Sequence, residues 1–340
     1  MINIGQYIEM VINWMMVHFS TFFDAVNAGI GSFIIGFQHV LFGIPFYITI
    51  LVLAALAWMK AGRGTAIFTA LGLLLIYGMG FWEATMQTLA LVFSSTCLAL
   101  IVGVPLGVWT ANSPRAEKIL RPVLDLMQTM PAFVYLIPAV LFFGLGAVPG
   151  VFATIIFAMP PVVRLTGLGI RQVPKNVVEA SRSFGATRWQ LLYKVQLPLA
   201  LPTILTGVNQ TIMMSLSMVV IAAMIAAGGL GEIVLKGITQ MKIGLGFEGG
   251  IAVVILAIIL DRITQGMAGR KKQELNGKDK IRMRIYKIVG IVLSAILLLA
   301  SCTNSDLEKK KVKIAYANWL EGIAMSHLAK VVLEEHGYEV

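Results

Sequence analysis

Long apolar runs with very few charges recur along most of this chain, and they constrain its fold more than any other feature. A helix that crosses the hydrocarbon core of a bilayer needs about 20 mostly apolar residues. Only 13% of the 340 residues are charged and 58% are hydrophobic, which excludes a disordered chain and an ordinary soluble enzyme. The pattern predicts an all-α polytopic membrane protein with about seven transmembrane helices, over residues 41–59, 65–82, 86–110, 122–145, 147–170, 203–227 and 247–264.

Lysine and arginine are distributed very unevenly among the gaps between these runs. The alternating gaps hold 19 of them on one side and only Lys236 and Lys242 on the other. Loops rich in Lys and Arg face the cytoplasm, so the net charge of +10 reflects membrane topology, and no nucleic-acid partner is expected. The N-terminal segment and everything after Ala300 are then predicted to lie outside. The cytoplasmic gaps are 60–64, 111–121, 171–202 and 262–287.

Residues 1–40 are predicted to form an N-terminal amphipathic segment at the outer membrane interface. Apolar residues recur at helical spacing over residues 4–26, with Glu9, Asn13 and His18 between them. A buried eighth span is the alternative reading of the same residues.

The cytoplasmic gap 171–202 carries signals for two helices joined by a turn. Pro174 suits the start of a helix over 175–184, and Gly185 can adopt the left-handed conformation that ends it. Thr187 and Gln190 match a capping box that starts a second helix, and Pro198 is predicted to end that helix. A folded element of this kind between two membrane spans indicates a docking partner.

The same loop carries a family motif. It has Glu179-Ala180-Ser181, then three residues, Gly185, then nine residues, and Val195-Gln196-Leu197-Pro198. This resembles the E-A-A…G…I-x-L-P signature of permeases in binding-protein-dependent ABC importers, with Ser for the second Ala and Val for Ile. The resemblance implies the type I permease fold over residues 41–266. It also implies that Glu179, Ala180, Ser181, Gly185, Leu197 and Pro198 belong to a loop that couples the permease to an ATP-hydrolysing subunit.

Three further stretches look like the glycine betaine/proline betaine branch of that family: residues 120–133, 209–214 and 226–231. The resemblance implies an ATP-driven importer of compatible solutes in the bacterial cytoplasmic membrane, built from two permease copies, two ATPases and a substrate-binding domain. No G-x-x-x-x-G-K-[ST] motif occurs in the chain, so ATP and Mg²⁺ are expected on the separate ATPase and no cofactor on this chain.

Alternatives to this interpretation stay open at the level of substrate and energy source. Another small amine (choline, carnitine or an amino acid) would suit the same permease architecture. An ATP-independent channel or carrier would transport without any nucleotide subunit. A membrane-bound enzyme is disfavoured, because the four His and two Cys form neither a metal-ligand motif nor a nucleophile–base pair.

Four polar residues and one methionine inside the apolar runs are candidates for a translocation pathway across the membrane. The alternative role is hydrogen bonding between helices for the polar residues and packing for the methionine. The candidates are Gln128, Thr129, Asn209, Gln210 and Met214.

The last part of the chain reads as a linker followed by the start of another domain. Residues 267–302 combine a basic stretch, a 13-residue apolar run and Leu299-Ala300-Ser301-Cys302, which matches a lipobox. Cys302 is therefore a candidate for lipidation, with a plain final span and an incidental cysteine as the alternative. Whether the chain is cleaved there stays open.

Residues 303–340 are predicted to begin an α/β substrate-binding domain, with a strand over 312–316 and a helix over 322–335. Residues 318–324 resemble the corresponding part of glycine betaine binding proteins. Trp319 could form one wall of an aromatic cage, since aromatic faces attract quaternary ammonium groups, or it could be an ordinary core tryptophan. Residues 312–340 are too few to close such a domain, so we expect a truncated or remnant piece.

Overall fold

The computed structural model describes residues 4–267, and this part of the chain is helical almost throughout, without a strand. A π-helical turn, Leu192–Gln196, and a 3₁₀ turn, Ala223–Ile225, interrupt the α-helices. The α-helices run in chain order as α1 (Ile4–His18), α2 (Ser20–Gly43), α3 (Phe46–Ala61), α4 (Arg63–Gly78), α5 (Trp82–Asn112), α6 (Pro114–Thr129), α7 (Ala132–Phe143), α8 (Ala147–Ala158), α9 (Pro160–Arg171), α10 (Lys175–Ser183), α11 (Arg188–Leu191), α12 (Leu197–Ala222), α13 (Leu230–Thr239) and α14 (Ile243–Met267).

Every run predicted to span the membrane coincides with a helix or a helix pair. Within the described residues, five helical segments are long and apolar enough to cross a bilayer: α2, α5, the continuous segments Ala147–Arg171 and Arg188–Ile225, and α14. The pair α6 and α7 forms a sixth candidate, which bends by 98° at its break. Helices α3 and α4 match the predicted spans 41–59 and 65–82 but have only 16 residues each, a rise of about 24 Å.

The N-terminal segment differs from its prediction. The single helix expected over residues 4–26 is divided at Phe19, whose backbone leaves the helical region at φ −118° and ψ 20°. The second of the two helices continues to Gly43, so the expected boundary at residue 40 falls inside α2. It ends there because Pro45 disfavours a helical conformation at Ile44, which is extended at φ −93° and ψ 125°.

The centre of the bundle is formed by α5, α9 and α12, which approach one another closely at glycines. A Cβ added at Gly107 of α5 would lie 2.5 Å from Thr166 Cβ of α9, and one added at Gly207 of α12 would lie 3.1 Å from Val162 Cα. Small residues allow such approaches between membrane helices, where dispersion contacts replace the hydrophobic effect. The tight contact fixes α9 and α12, the two helices that enter and leave the loop 171–202.

Candidate functional site

The loop between α9 and α12 folds largely as its sequence predicts. Pro174 precedes α10 with φ −55° and ψ 130°, and the helix ends at Ser183. Gly185 follows with φ +79°, in the left-handed region that glycine adopts without steric cost. Its N–H donates to the Arg182 carbonyl at 2.9 Å, and the Ala186 N–H donates to the Ser181 carbonyl at 3.1 Å. These two bonds satisfy the last carbonyls of α10 and set the direction of the chain.

The second half of the loop begins with the predicted capping box. The Thr187 Oγ1 accepts from the Gln190 N–H at 3.3 Å, and the Gln190 Oε1 accepts from the Thr187 N–H at 2.9 Å. The prediction that Pro198 ends this helix is wrong. The π-helical turn shifts the hydrogen-bond register just before Pro198, which then lies in the first turn of α12, where a missing N–H is tolerated.

Three aromatic side chains of this loop are exposed. Phe184 is 92% exposed, Trp189 68% and Tyr193 62%, and the last two rings stack with centroids 5.8 Å apart. Exposed basic residues lie among them at Arg182, Arg188 and Lys194. We call these six residues the coupling surface. Large exposed aromatic groups in a polar loop are typical of a protein-binding patch.

The motif residues of α10 have distinct surroundings. Glu179 is exposed, and its carboxylate makes no hydrogen bond or ion pair with the residues that the structure describes. It lines a groove of about 280 Å³ between α10 and the end of α9. Ala180 is exposed, and Ser181 donates to the Val177 carbonyl at 2.8 Å. A carboxylate left unpaired in this way is available to a partner.

The C-terminal end of the motif anchors the loop to the bundle. Leu197 is half-buried against the cluster formed by Ile170, Ala200 and Ile204. Pro198 is exposed beside it. The two motif residues therefore contribute differently, one to packing and one to the surface.

The structure brings together two of the five residues predicted to line a pathway. Gln128 Nε2 lies 3.8 Å from Met214 Sδ, which joins α6 to α12. Arg164 of α9 donates to Gln128 Oε1 at 2.7 Å and pairs with Asp125 at 2.5 Å. Sequence reasoning missed Arg164 and Asp125, although a lone arginine inside an apolar run is itself a signal of function or pairing.

The other three predicted pathway residues do not take part in the contact between Gln128 and Met214. Asn209 Nδ2 donates to Asp261 Oδ1 of α14 at 3.1 Å, and its Oδ1 accepts from Thr264. Thr129 donates to the Leu126 carbonyl at 3.3 Å, and Gln210 is exposed. Asp261 also accepts from Gln265 within α14. Its carboxylate therefore joins α12 to α14, and α14 continues beyond it to Met267.

A second ion pair lies between α6 and α9, near the base of the loop. Arg171 Nη1 is 3.0 Å from Glu117 Oε2 and 3.4 Å from the Thr110 carbonyl of α5. A cavity of about 320 Å³ lies along this contact, lined by both ion pairs and by Arg121. The facing sides of α6 and α9 therefore each carry charged residues that pair across the contact.

Comparison with known proteins agrees with this architecture. Residues 103–273 match the family described as binding-protein-dependent transport system inner membrane component. The chain is 52% identical over 267 residues to the glycine betaine/proline betaine transport system permease protein ProW of Escherichia coli (strain K12), covering 78% of this chain and 75% of that one. It is 50% identical over 275 residues to the glycine betaine transport system permease protein OpuAB of Bacillus subtilis (strain 168), covering 81% and 98%.

The chain belongs to this permease family. It is a multi-pass protein of the inner membrane, as its apolar helices and its relatives agree. Its fold is similar to a chain of the MetNI methionine ABC transporter solved in inward-facing conformations, with a TM-score of 0.50 and 22% identity. That similarity covers 55% of this permease and 94% of the other chain, and it shows the fold alone.

Two predicted sites of the permease, Cys302 and Trp319, lie outside the described residues, as does the predicted domain over 303–340. Within the described part, no group of three or more His, Cys, Asp or Glu residues could hold a metal ion.

Proposed function

We propose that this permease is the translocation subunit of an ATP-driven importer for betaine-type compatible solutes. The observation that carries the proposal is the coupling surface, an aromatic and basic patch on a well-capped helical loop between two membrane-spanning segments. A loop that served only as a connection would not require two capped helices and three exposed rings.

The proposed partner at this surface is a separate ATP-hydrolysing subunit, which binds ATP and Mg²⁺. Basic residues of the coupling surface favour an acidic or carbonyl-lined groove, and the aromatic rings favour apolar pockets within it. The unpaired carboxylate of Glu179 favours a basic group at the edge of that groove. Closure of the nucleotide subunits would displace the loop, and the loop would displace α9 and α12.

The proposed substrate class rests on the names of the relatives. They transport glycine betaine or proline betaine, and the glycine betaine/carnitine transport permease protein GbuB of Listeria monocytogenes serotype 1/2a (strain 10403S) is 50% identical over 277 residues. These solutes are small zwitterions with a quaternary ammonium group, which aromatic faces can hold. Carnitine is accordingly the second candidate substrate.

The remaining parts of the assembly are proposals of the same kind. A second copy of the permease would complete the pathway, and a substrate-binding domain would deliver the solute from outside. The segment after Ala300 would lie outside, with Cys302 as a lipidation site and Trp319 in the binding domain.

The proposal is tested by uptake into vesicles that contain the permease, its ATPase subunit and a substrate-binding domain. We expect labelled glycine betaine to accumulate with ATP and not with ADP, and unlabelled carnitine to compete more weakly. Vesicles without the ATPase subunit are the control. Uptake that is independent of ATP would support an ion-coupled carrier and contradict the proposal. ATP-driven uptake of carnitine alone would support an ATP-driven importer and contradict glycine betaine as its substrate.

A further inference from the structure

Two ion pairs join α6 to α9 and form a ladder with two rungs. The first rung is Glu117–Arg171, with 3.0 Å between Oε2 and Nη1, and the second is Asp125–Arg164, with 2.5 Å between Oδ1 and Nη2. The arginines are seven residues apart and the acids eight, so each rung lies about two helical turns from the other on facing sides of the two helices. Two helices held at two levels resist sliding and rotation against each other.

The first rung lies at the base of the coupling loop. Arg171 is the last residue of α9, and α10 begins only four residues later, at Lys175. Because Arg171 also donates to the Thr110 carbonyl of α5, the base of the loop is held against α5 and α6 together. A displacement of α10 therefore acts directly on this junction.

The other end of α6 is a sharp bend, which we call the elbow, at residues 129–132. Helix α6 meets α7 there at 98°, and Tyr135 donates to the carbonyls of Leu126 and Met127 across the bend. Gln128, just before the elbow, contacts both Arg164 of α9 and Met214 of α12. The elbow thus contacts both helices that flank the coupling loop.

The second rung, Asp125–Arg164, lies deeper along α9 than the first. Arg164 lies seven residues from the cytoplasmic end of α9, about 10 Å along the helix, and a charge at that position in a membrane helix is usually paired. Both rungs are partly exposed, with 42% of the Arg164 side chain and 38% of the Arg171 side chain accessible, so they act by matching opposite charges at two levels and not as buried pairs. The rungs therefore favour arrangements in which α6 and α9 move together.

We propose that Glu117, Asp125, Arg164 and Arg171 are positioning residues that transmit the displacement of the coupling loop to the elbow. Helices α6 and α9 move as one body, so that closure of the nucleotide subunits changes the bend between α6 and α7. This inference rests on the proposed function, and it assigns a role to charges that dock no partner.

The test follows the elbow and the transport stoichiometry in the same complex. Thr129→Cys is introduced into a chain with Cys97→Ser and Cys302→Ser, and its labelling by a maleimide is compared with and without ATP plus orthovanadate. The variants are Glu117→Gln, Asp125→Asn and the reversed pair Glu117→Arg with Arg171→Glu. Lys118→Gln, an exposed neighbour on α6, is the matched control.

We expect nucleotide to change the labelling of Thr129→Cys when both rungs are intact, and neutralising either rung to reduce that change. The number of solutes transported per ATP should fall roughly 2- to 30-fold in these variants, a range found for residues that modulate coupling. The reversed pair should recover most of the ratio, and Lys118→Gln should not alter it. Glu117→Gln and Asp125→Asn are nearly isosteric and should not disturb helix packing. Their effect on elbow labelling therefore tests the inference even if the reversed pair assembles poorly.

The inference is overturned if labelling at the elbow does not respond to nucleotide, or responds equally with a rung neutralised. A well-assembled reversed pair that stays as uncoupled as Glu117→Gln also overturns it. Elbow labelling needs no solute, so it tests the inference even where glycine betaine proves not to be the substrate. Absence of any ATP-driven uptake by the unmodified complex would instead contradict the proposed function.

Discussion

Gly185 is the residue on which the shape of the coupling loop depends most directly. Its φ is +79°, and an added Cβ would meet no atom within 4 Å, so only backbone strain opposes a substitution. A β-branched residue in this region costs roughly 1–2 kcal/mol or more, whereas asparagine adopts it readily. We expect Gly185→Val to weaken binding of the ATPase subunit about tenfold and Gly185→Asn to leave it nearly unchanged, measured as a Kd in detergent.

Trp189 is the residue of the coupling surface with the largest expected share of the docking energy. A tryptophan that becomes fully enclosed by a partner commonly contributes 2 kcal/mol or more, which is about 30-fold in Kd. Trp189→Ala should therefore raise the Kd for the ATPase subunit about 30-fold without lowering the thermal stability of the permease alone. Phe247→Ala removes an equally exposed ring from α14 and should have no effect on that association.

The sequence predicted local features of single residues well and contacts between distant residues poorly. The left-handed Gly185 and the Thr187 capping box depend on a few neighbouring residues, so a motif suffices to find them. The Arg164 pairing depends on how α6 and α9 are rotated about their axes, and periodicity does not fix that rotation between helices. For the same reason the sequence placed Asn209 in its helix but could not name Asp261 and Thr264 of α14 as its hydrogen-bond partners.

At the scale of elements, the close contact between α5 and α9 allows a test of how the bundle packs. A methyl group added at Gly107 would lie 2.5 Å from Thr166 Cβ and 2.8 Å from the Val163 carbonyl, so the two helices would have to separate. We expect Gly107→Ala to destabilise the permease by about 1–3 kcal/mol, as overpacking does. At Gly36 of α2 the added methyl meets nothing within 4 Å, so Gly36→Ala should be neutral or slightly stabilising. The thermal midpoint in detergent distinguishes the two.

Element boundaries were harder to predict than element identity. Every predicted span contains a helix, because apolar length is a strong signal. The start of α12 was missed because a π-helical turn accommodates Pro198, and hydropathy does not report the hydrogen-bond register. The extent of α2 was missed because its scattered polar residues hid an unbroken helical stretch of 24 residues.

For the whole molecule, the number of membrane crossings depends on α2. This helix is long and apolar enough to cross a bilayer, yet only 6% of its most apolar window is buried inside the bundle. If it crosses, α1 lies in the cytoplasm; if it lies along the interface, α1 stays outside. Residues 1–59 contain no Lys or Arg, whereas every predicted cytoplasmic gap contains at least two. The positive-inside rule therefore favours an external α1.

Single cysteines in a chain with Cys97→Ser and Cys302→Ser decide between these topologies. We expect an impermeant maleimide added to intact spheroplasts to label Asn13→Cys and Thr239→Cys, and to label Ser183→Cys only after permeabilisation. Thr239 and Ser183 are both exposed, and they serve as reference positions for the outer and the cytoplasmic side of the membrane. Labelling of Asn13→Cys only after permeabilisation would make α2 a membrane span. The permease would then gain one crossing ahead of α3, while the predicted orientation of the coupling loop would be unchanged, because it depends on the later helices alone.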